Sequence, residues 1–151
     1  APILPTPQPL PLLSGVLWGR PGIPSLYSGS EWGAKGDKSQ GDDALRPCFD
    51  GPEWNGLTDT LAAMVKARRE SEALCWGDFH DVVLTNKQAI FQRRTDGERV
   101  LVAVNADSQP YTAHFDAGCG QAVDLLTGQT HDFGGGSELP SYSVAFWRCE
   151  R

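Results

Sequence analysis

Residues 88–106 read Gln88-Ala89-Ile90-Phe91-Gln92-Arg93-Arg94-Thr95-Asp96-Gly97-Glu98-Arg99-Val100-Leu101-Val102-Ala103-Val104-Asn105-Ala106. Asp-Gly between two apolar runs is a strong hairpin signal, because Gly accepts the positive φ that a tight turn demands. Asp96-Gly97 therefore joins a strand over Ile90–Arg94 to one over Arg99–Ala106. Side chains alternate faces along a strand, so Val100, Val102 and Val104 share one face.

The same period of two extends outward from this hairpin. On the N-terminal side, Phe79–Thr85 and Gln88–Arg93 flank Asn86-Lys87, a second hairpin turn. On the C-terminal side, Tyr111–Phe115, Gln121–Leu125 and Gln129–Phe133 read as short strands, with Leu125-Leu126-Thr127-Gly128 as a turn. Ser143–Cys149 follows, with Val144 and Phe146 alternating against Ala145, Trp147 and Cys149. Seven or eight short strands at this spacing predict an antiparallel sandwich or barrel. Asn105, ending the valine-rich strand, is expected to satisfy a backbone turn. His80, His114 and His131 are expected on strand surfaces.

Upstream the pattern changes. Leu57–Ser71 predicts a helix, with Leu57, Leu61, Met64 or Val65, and Arg68 recurring at the helical period. Gly56 and Thr58 are candidates for its start, and Lys66, Arg68 and Arg69 suit the negative end of its dipole. Residues 28–56 form a long Gly-rich loop with six acidic side chains, anchored by Trp32, Phe49 and Trp54. Pro21-Gly22-Ile23-Pro24-Ser25-Leu26-Tyr27-Ser28-Gly29 reads as a brief buried strand entered through a tight turn. Leu12–Trp18 is an apolar piece that can end a helix. Five prolines within residues 1–11 favour extended polyproline II, a leader outside the folded part.

Composition narrows the function. Nineteen acidic residues against thirteen Lys and Arg give a net charge of −6 over 151 residues. A nucleic-acid binder carries a basic face, so nucleic acid is not an expected partner. The longest uncharged apolar stretch, Leu10–Gly19, is too short and Pro-broken for a membrane span, and a charged signal-peptide n-region is missing. Cys48, Cys75, Cys119 and Cys149 form no CxxC pair, and no His lies at ligand spacing, so neither metal nor cofactor is expected. Free, mostly buried thiols are the expectation, which favours a reducing, cytoplasmic compartment.

The residues also carry a family resemblance. Pro21-Gly22-Ile23-Pro24 through Gly33 resembles the segment around the eighth barrel strand of the α-amylase superfamily, glycoside hydrolase family 13. Ala44-Leu45-Arg46-Pro47 resembles the loop that follows in the maltogenic amylase and neopullulanase-like branch. Arg69-Glu70-Ser71-Glu72-Ala73-Leu74 and Gly77-Asp78-Phe79 resemble the exit of the eighth barrel helix. Arg99–Ala106 and Asp124-Leu125-Leu126-Thr127-Gly128 resemble two elements of the Greek-key sandwich called domain C. Ser28 stands where the family usually has a second Tyr.

The resemblance implies a mainly β chain: an antiparallel Greek-key β-sandwich over 73–151, preceded over 12–72 by the last strand, loop and helix of a (β/α)8 barrel. It implies the C-terminal portion of a retaining hydrolase of α-1,4-glucosidic bonds, with α-glucan or maltooligosaccharide as partner of the full-length form. The family's three catalytic carboxylates lie upstream of the matched segment, and its Asn-His-Asp stretch does not occur here. Retaining hydrolysis needs two carboxyl groups about 5–5.5 Å apart in unlike environments. The solvated loop acids Asp37, Asp42, Asp43 and Asp50 do not provide them, so no catalytic residue is expected and the chain alone is expected to be inactive.

Tyr27, Glu31, Trp32 and Arg46 are the candidate substrate-binding residues. An indole face stacks on sugar C–H groups while a neighbouring carboxylate accepts from hydroxyls. The bland counterpart has Trp32 packing the loop and Glu31 paired with Arg46. Trp76 and Trp147 are more readily core or interface packing than a starch platform. The alternatives are a non-catalytic carbohydrate-binding sandwich and a partner-dependent subunit that completes a barrel supplied by another chain; self-association through the unpaired barrel strand is a further expectation for the fragment.

Overall fold

The computed structural model describes residues 9–150; the leader over 1–8 lies outside them. Three helices precede eight strands: α1 Leu10–Gly19, α2 Gly56–Glu70, α3 Glu72–Trp76, β1 Asp78–Leu84, β2 Gln88–Arg94, β3 Arg99–Asn105, β4 Tyr111–Ala113, β5 Gln121–Asp124, β6 Thr130–Asp132, β7 Ser137–Leu139 and β8 Ser143–Cys149. Six strands form one sheet in the order β1-β2-β3-β8-β5-β6, and β4 pairs with β7 in a second. Every pairing is antiparallel. The architecture is mainly β, with the antiparallel pairing that the sequence predicts.

Strand β3 lies at the centre and is covered on both faces. Val100, Val102 and Val104 pack with Phe91, Phe146, Leu12, Met64 and Leu74 on the helical side. Leu101 and Ala103 pack with Ile90, Ala113, Leu139 and Trp147 under the small sheet. The alternation read from the sequence is thus the alternation of two cores. Asn105, fully buried, donates from Nδ2 to the carbonyls of Gln109, Leu139 and Pro140 and accepts at Oδ1 from Gln88 Nε2 and the Asp107 N–H. The expected turn role holds.

Helix α1 closes the helical side. Gly15 and Gly19, four residues apart, are both buried. A Cβ at Gly15 would collide with Val144, and one at Gly19 would sit 2.9 Å from Phe91 and 3.0 Å from Val102. Two missing side chains on one helical face let the backbone rest on the sheet. Pro11 sits in the first turn of α1, where its missing N–H costs nothing, so the proline-rich segment enters a helix there instead of remaining extended. The α2 stripe is buried under α1: Leu61 and Met64 join the cluster containing Leu12.

Two arginines fasten the chain between α1 and the sandwich. Arg68 donates from Nη1 to the carbonyls of Trp18 and Arg20 and from Nη2 to that of Gly22. Arg93, 1% exposed, donates to the carbonyls of Gly77, Gly19 and Leu74. Burial, and then the nearby Arg68 cation, lower the Arg93 pKa. Carbonyl dipoles supply the compensation that such a buried cation needs.

Several expectations need correction. The segment 23–27 is not a buried strand: it has no strand pairing, and Ile23 is 97% exposed. A parallel strand draws its hydrogen bonds from neighbours on both sides, and no described residue offers an edge there. Residues 73–76, expected to open the sandwich, lie instead in helix α3, because Ser71 caps it by accepting from the Leu74 N–H. The short strand β7 went unread; three residues are too few to show a period. The cysteines are free, but Cys48 is exposed and the other three are half-buried.

Candidate functional site

The candidate binding residues cluster on a turn resting against the start of α2. The Ser30 N–H donates to the Tyr27 carbonyl at 2.9 Å, and the Ala34 N–H to the Gly29 carbonyl at 2.8 Å. Gly29 has φ +93° and packs so closely under Phe49 that a Cβ would lie 2.7 Å from its ring. Only glycine meets both demands.

Helix α2 fixes this turn through its cap. The Asn55 side chain accepts from the N–H groups of Leu57 and Thr58, and Thr58 Oγ1 accepts from the Asn55 N–H. The same two side chains reach outward: Asn55 Nδ2 donates to the Trp32 carbonyl at 2.9 Å, and Thr58 Oγ1 to the Glu31 carbonyl at 2.9 Å. One capping box therefore ends the helix and holds the Glu31–Trp32 backbone. The sequence pointed to Gly56 and Thr58; the N-cap is Asn55. Asn55 followed three residues later by Thr58 departs from the usual Ser/Thr-x-x-Glu form, which explains the omission.

Glu31 and Trp32 are each half-buried. The Trp32 ring meets Phe49 edge to face at 5.0 Å. Glu31 Oε2 is buried and has no hydrogen-bond partner among the described residues. Buried carboxylate oxygens are normally satisfied, since an unpaired one forfeits its hydration. The expected pairing with Arg46 is absent among the described residues, and Arg46 is exposed. Tyr27 is 60% exposed. The structure thus brings Glu31 and Trp32 together on one anchored turn, with Tyr27 at its start, and leaves Arg46 as a surface residue of the following loop.

Between α1 and the segment that follows it, Leu13, Leu17, Arg20, Pro21, Ile23 and Pro24 are among the residues lining an open, mostly apolar hollow of about 340 Å³. Trp54, also exposed, has its indole N–H tied to Asp59 Oδ1 at 2.7 Å. Of the loop acids, Asp37 has its pKa lowered by the Ser39 backbone N–H and then the Ser39 side chain. That favours the ionised form and does not suit a protonated acid catalyst.

Among the tryptophans and histidines of the sandwich, Trp147, His80 and His114 meet expectation in their burial, and Trp76 and His131 do not. Trp147 is buried and stacks on His131 with centroids 4.1 Å apart and planes 4° from parallel. Trp76 is 84% exposed at the end of α3. Trp76 is therefore not core, and the two do not form a platform. His80 and His114 are exposed as expected. His131 is not a surface residue: it is half-buried against Trp147 and bonds Ser137 Oγ at 2.9 Å.

No protein-family model and no curated protein matches the chain. Solved structures do. The α-amylase of Geobacillus thermoleovorans, complexed with acarbose, superposes with a TM-score of 0.84 at 21% identity, covering 95% of this chain and 33% of that one. CldA, described as a cyclomaltodextrin glucanotransferase with a three-domain ABC distribution, gives 0.82 at 22% identity over 97% of this chain and 33% of its own. Ttha1563 from Thermus thermophilus gives 0.79 at 27% identity, over 96% and 32%. The chain spans about a third of the length of each. The chain thus shares its fold with about a third of each of these structures, as the resemblance read from the residues implies.

Proposed function

We propose that the chain is the C-terminal portion of an α-glucan-active glycoside hydrolase, comprising the end of a (β/α)8 barrel and domain C. The observation that carries this reading is the exposed segment 22–27. A self-sufficient sandwich has no use for a solvent-facing Ile23 beside an apolar hollow, whereas the missing wall of a barrel would cover both. The match to a third of each neighbour supports the same reading.

Within it, the anchored Glu31–Trp32 turn follows the barrel-closing segment, and barrel sites are built from the loops after the strands. Glu31 Oε2 would accept a sugar hydroxyl, and Trp32 would offer an apolar edge. Both bind substrate; neither performs bond cleavage. Hydrolysis would require a nucleophile and an acid/base from residues upstream of this segment. Residues 12–72 belong to the barrel and 73–151 to domain C in this reading.

Incubating residues 1–151 with amylose, maltoheptaose and a cyclodextrin tests the proposal. No release of reducing ends is expected. Turnover abolished by Glu31→Gln would show a self-sufficient enzyme and overturn it. The exposure of Trp76 favours a second reading, a non-catalytic carbohydrate-binding sandwich. Glucan binding lost in Trp76→Ala but kept in Trp32→Ala would favour that one.

A further inference from the structure

Where β2 hands over to β3 and β8 ends, a polar groove of about 600 Å³ opens, lined in part by Arg99, Cys119 and Cys149. It lies outside the Glu31–Trp32 turn and plays no part in the glucan reading. The two cysteines come from separate elements. Cys149 ends β8 and stands opposite Ala122 of β5, and Cys119 sits in the turn that leads into β5. The next rung of the ladder, the Glu150 N–H to the Gln121 carbonyl at 3.1 Å, holds these two stretches side by side. Both cysteines pack against the same core cluster.

The thiols adjoin each other and share one cation. Arg99 Nη2 donates to Cys119 Sγ at 3.7 Å, and the same guanidinium acts on Cys149. Arg99 is held in place by Gly118, whose φ of +64° leaves room that a Cβ would fill at 2.6 Å from Arg99 Nη1. The Gly118 N–H is in turn fixed by Asp116 Oδ1 at 2.7 Å.

We infer that Cys119 and Cys149 form a dithiol modification site that takes a low-molecular-weight disulfide and closes into an intramolecular disulfide. The roles of the two sulfurs differ. Cys119 receives the Arg99 N–H, which holds in place the sulfur that attacks first. Cys149 is pushed up to about 11, first by burial and then by its contact with Cys119, so it rests as the thiol. In the first step the Cys119 thiolate attacks the small disulfide, forming a mixed disulfide and releasing one small thiolate, which takes up a proton. Cys119 then no longer competes for Arg99, whose effect on Cys149 is to lower its pKa. In the second step the Cys149 sulfur, having lost its proton to solvent, attacks Cys119 Sγ and expels the second small thiolate. Two protein thiols are oxidised and one small disulfide is reduced to two thiols. Proximity compensates for the low thiolate fraction of Cys149.

The other cysteines are internal controls. Cys48 is exposed, and Cys75 Sγ donates to the Arg68 carbonyl at 3.0 Å. The experiment incubates the folded 151-residue chain with oxidised glutathione, then combines intact mass with peptide mapping. A peptide pair joining Cys119 to Cys149 is expected, lighter by two hydrogens than the two free peptides and reversible by dithiothreitol, while Cys48 stops at a glutathione adduct. Cys149→Ser should trap glutathione on Cys119, and Cys119→Ser should leave Cys149 unmodified. The inference is overturned if both thiols remain free while Cys48 is fully modified. It is equally overturned if both carry glutathione with no cross-link. The wild-type map alone decides between these outcomes, so a variant that fails to fold does not rescue the idea.

Discussion

Two stretches of similar apolar character meet opposite fates. Ile90, Phe91 and the Val100–Val104 run are buried on two faces by elements of the described chain, whereas Ile23, Leu26 and Tyr27 face solvent. The sandwich finds its partners there: β1 pairs with β2 and β2 with β3 across short turns, and β3 with β8 across a long return. The segment 22–27 is tied at its two ends, by Arg68 to the Gly22 carbonyl and by the Ser30 N–H to the Tyr27 carbonyl. An apolar run gains stability only when something covers it, at about 25 cal/mol per Å². The difference teaches that apolar content alone does not decide burial: the first region has a cover on each face, and the second has none among the described residues.

The largest expected effect tests that contrast directly. Phe146 is fully buried between α1 and the sheet, and Phe146→Ala should cost about 3–5 kcal/mol. Ile23→Ser should change stability by no more than about 0.5 kcal/mol, as for other exposed positions. Urea unfolding of both variants checks this. A comparable loss at Ile23 would mean that the segment is buried in solution, through self-association, and would break the contrast as drawn.

A smaller effect is expected at the seam between the regions. Arg93→Met removes donors from the Gly77, Gly19 and Leu74 carbonyls. Each buried group left unpaired costs about 1–3 kcal/mol. Better apolar packing offsets part of that, so a net loss of about 2–3 kcal/mol is expected. Hydrogen exchange should show α1 released together with the loss. Exchange faster in β3 than in α1 would place the role of Arg93 inside the sandwich instead.

How much was legible follows the same divide. In β3 the period of two survives intact, and Asp96-Gly97 fixes the partner strand, so two cores could be read from one run of valines. Arg93 was legible in principle: it shares the face of Ala89 and Phe91 by alternation, which places a cation among apolar neighbours. Residues 23–27 were misread because apolar content signals burial without naming the partner. At the candidate site, Glu31 and Trp32 were recognisable by residue type and by resemblance. The anchor that holds them, Asn55 with Thr58, was not, since its bonds to the Trp32 and Glu31 carbonyls span 23 and 27 residues. The Cys119–Arg99–Cys149 cluster was equally hidden, because it depends on β8 returning beside β5.

That anchor gives the third test. Asn55→Ala removes the cap of α2 and should cost about 1 kcal/mol. If the cap also holds the candidate site, amide exchange should accelerate at Ser30–Ala34 as well as in the first turn of α2. Faster exchange in the helix alone would separate the turn from the cap. Glu31 and Trp32 would then lose the one element that positions them.

The smallest effect lies within the sandwich and depends on pH. Burial lowers the pKa of His131 from its ordinary 6.5, outweighing the nearby Asp132 and Asp124 carboxylates, which raise it. Ser137 Oγ, at 2.9 Å from Nε2, and the Trp147 ring complete its surroundings. Above 6.5 the imidazole is neutral in both folded and unfolded chains and contributes no pH dependence. As pH falls below 6.5 the unfolded chain takes up the proton first, so stability should fall until the folded pKa is also passed. His131→Phe keeps an aromatic ring against Trp147 and removes the titration, so the slope of stability against pH just below 6.5 should flatten. An unchanged slope would assign the acid sensitivity to other groups. A slope of opposite sign would mean that the neighbouring carboxylates, and not burial, govern this ring.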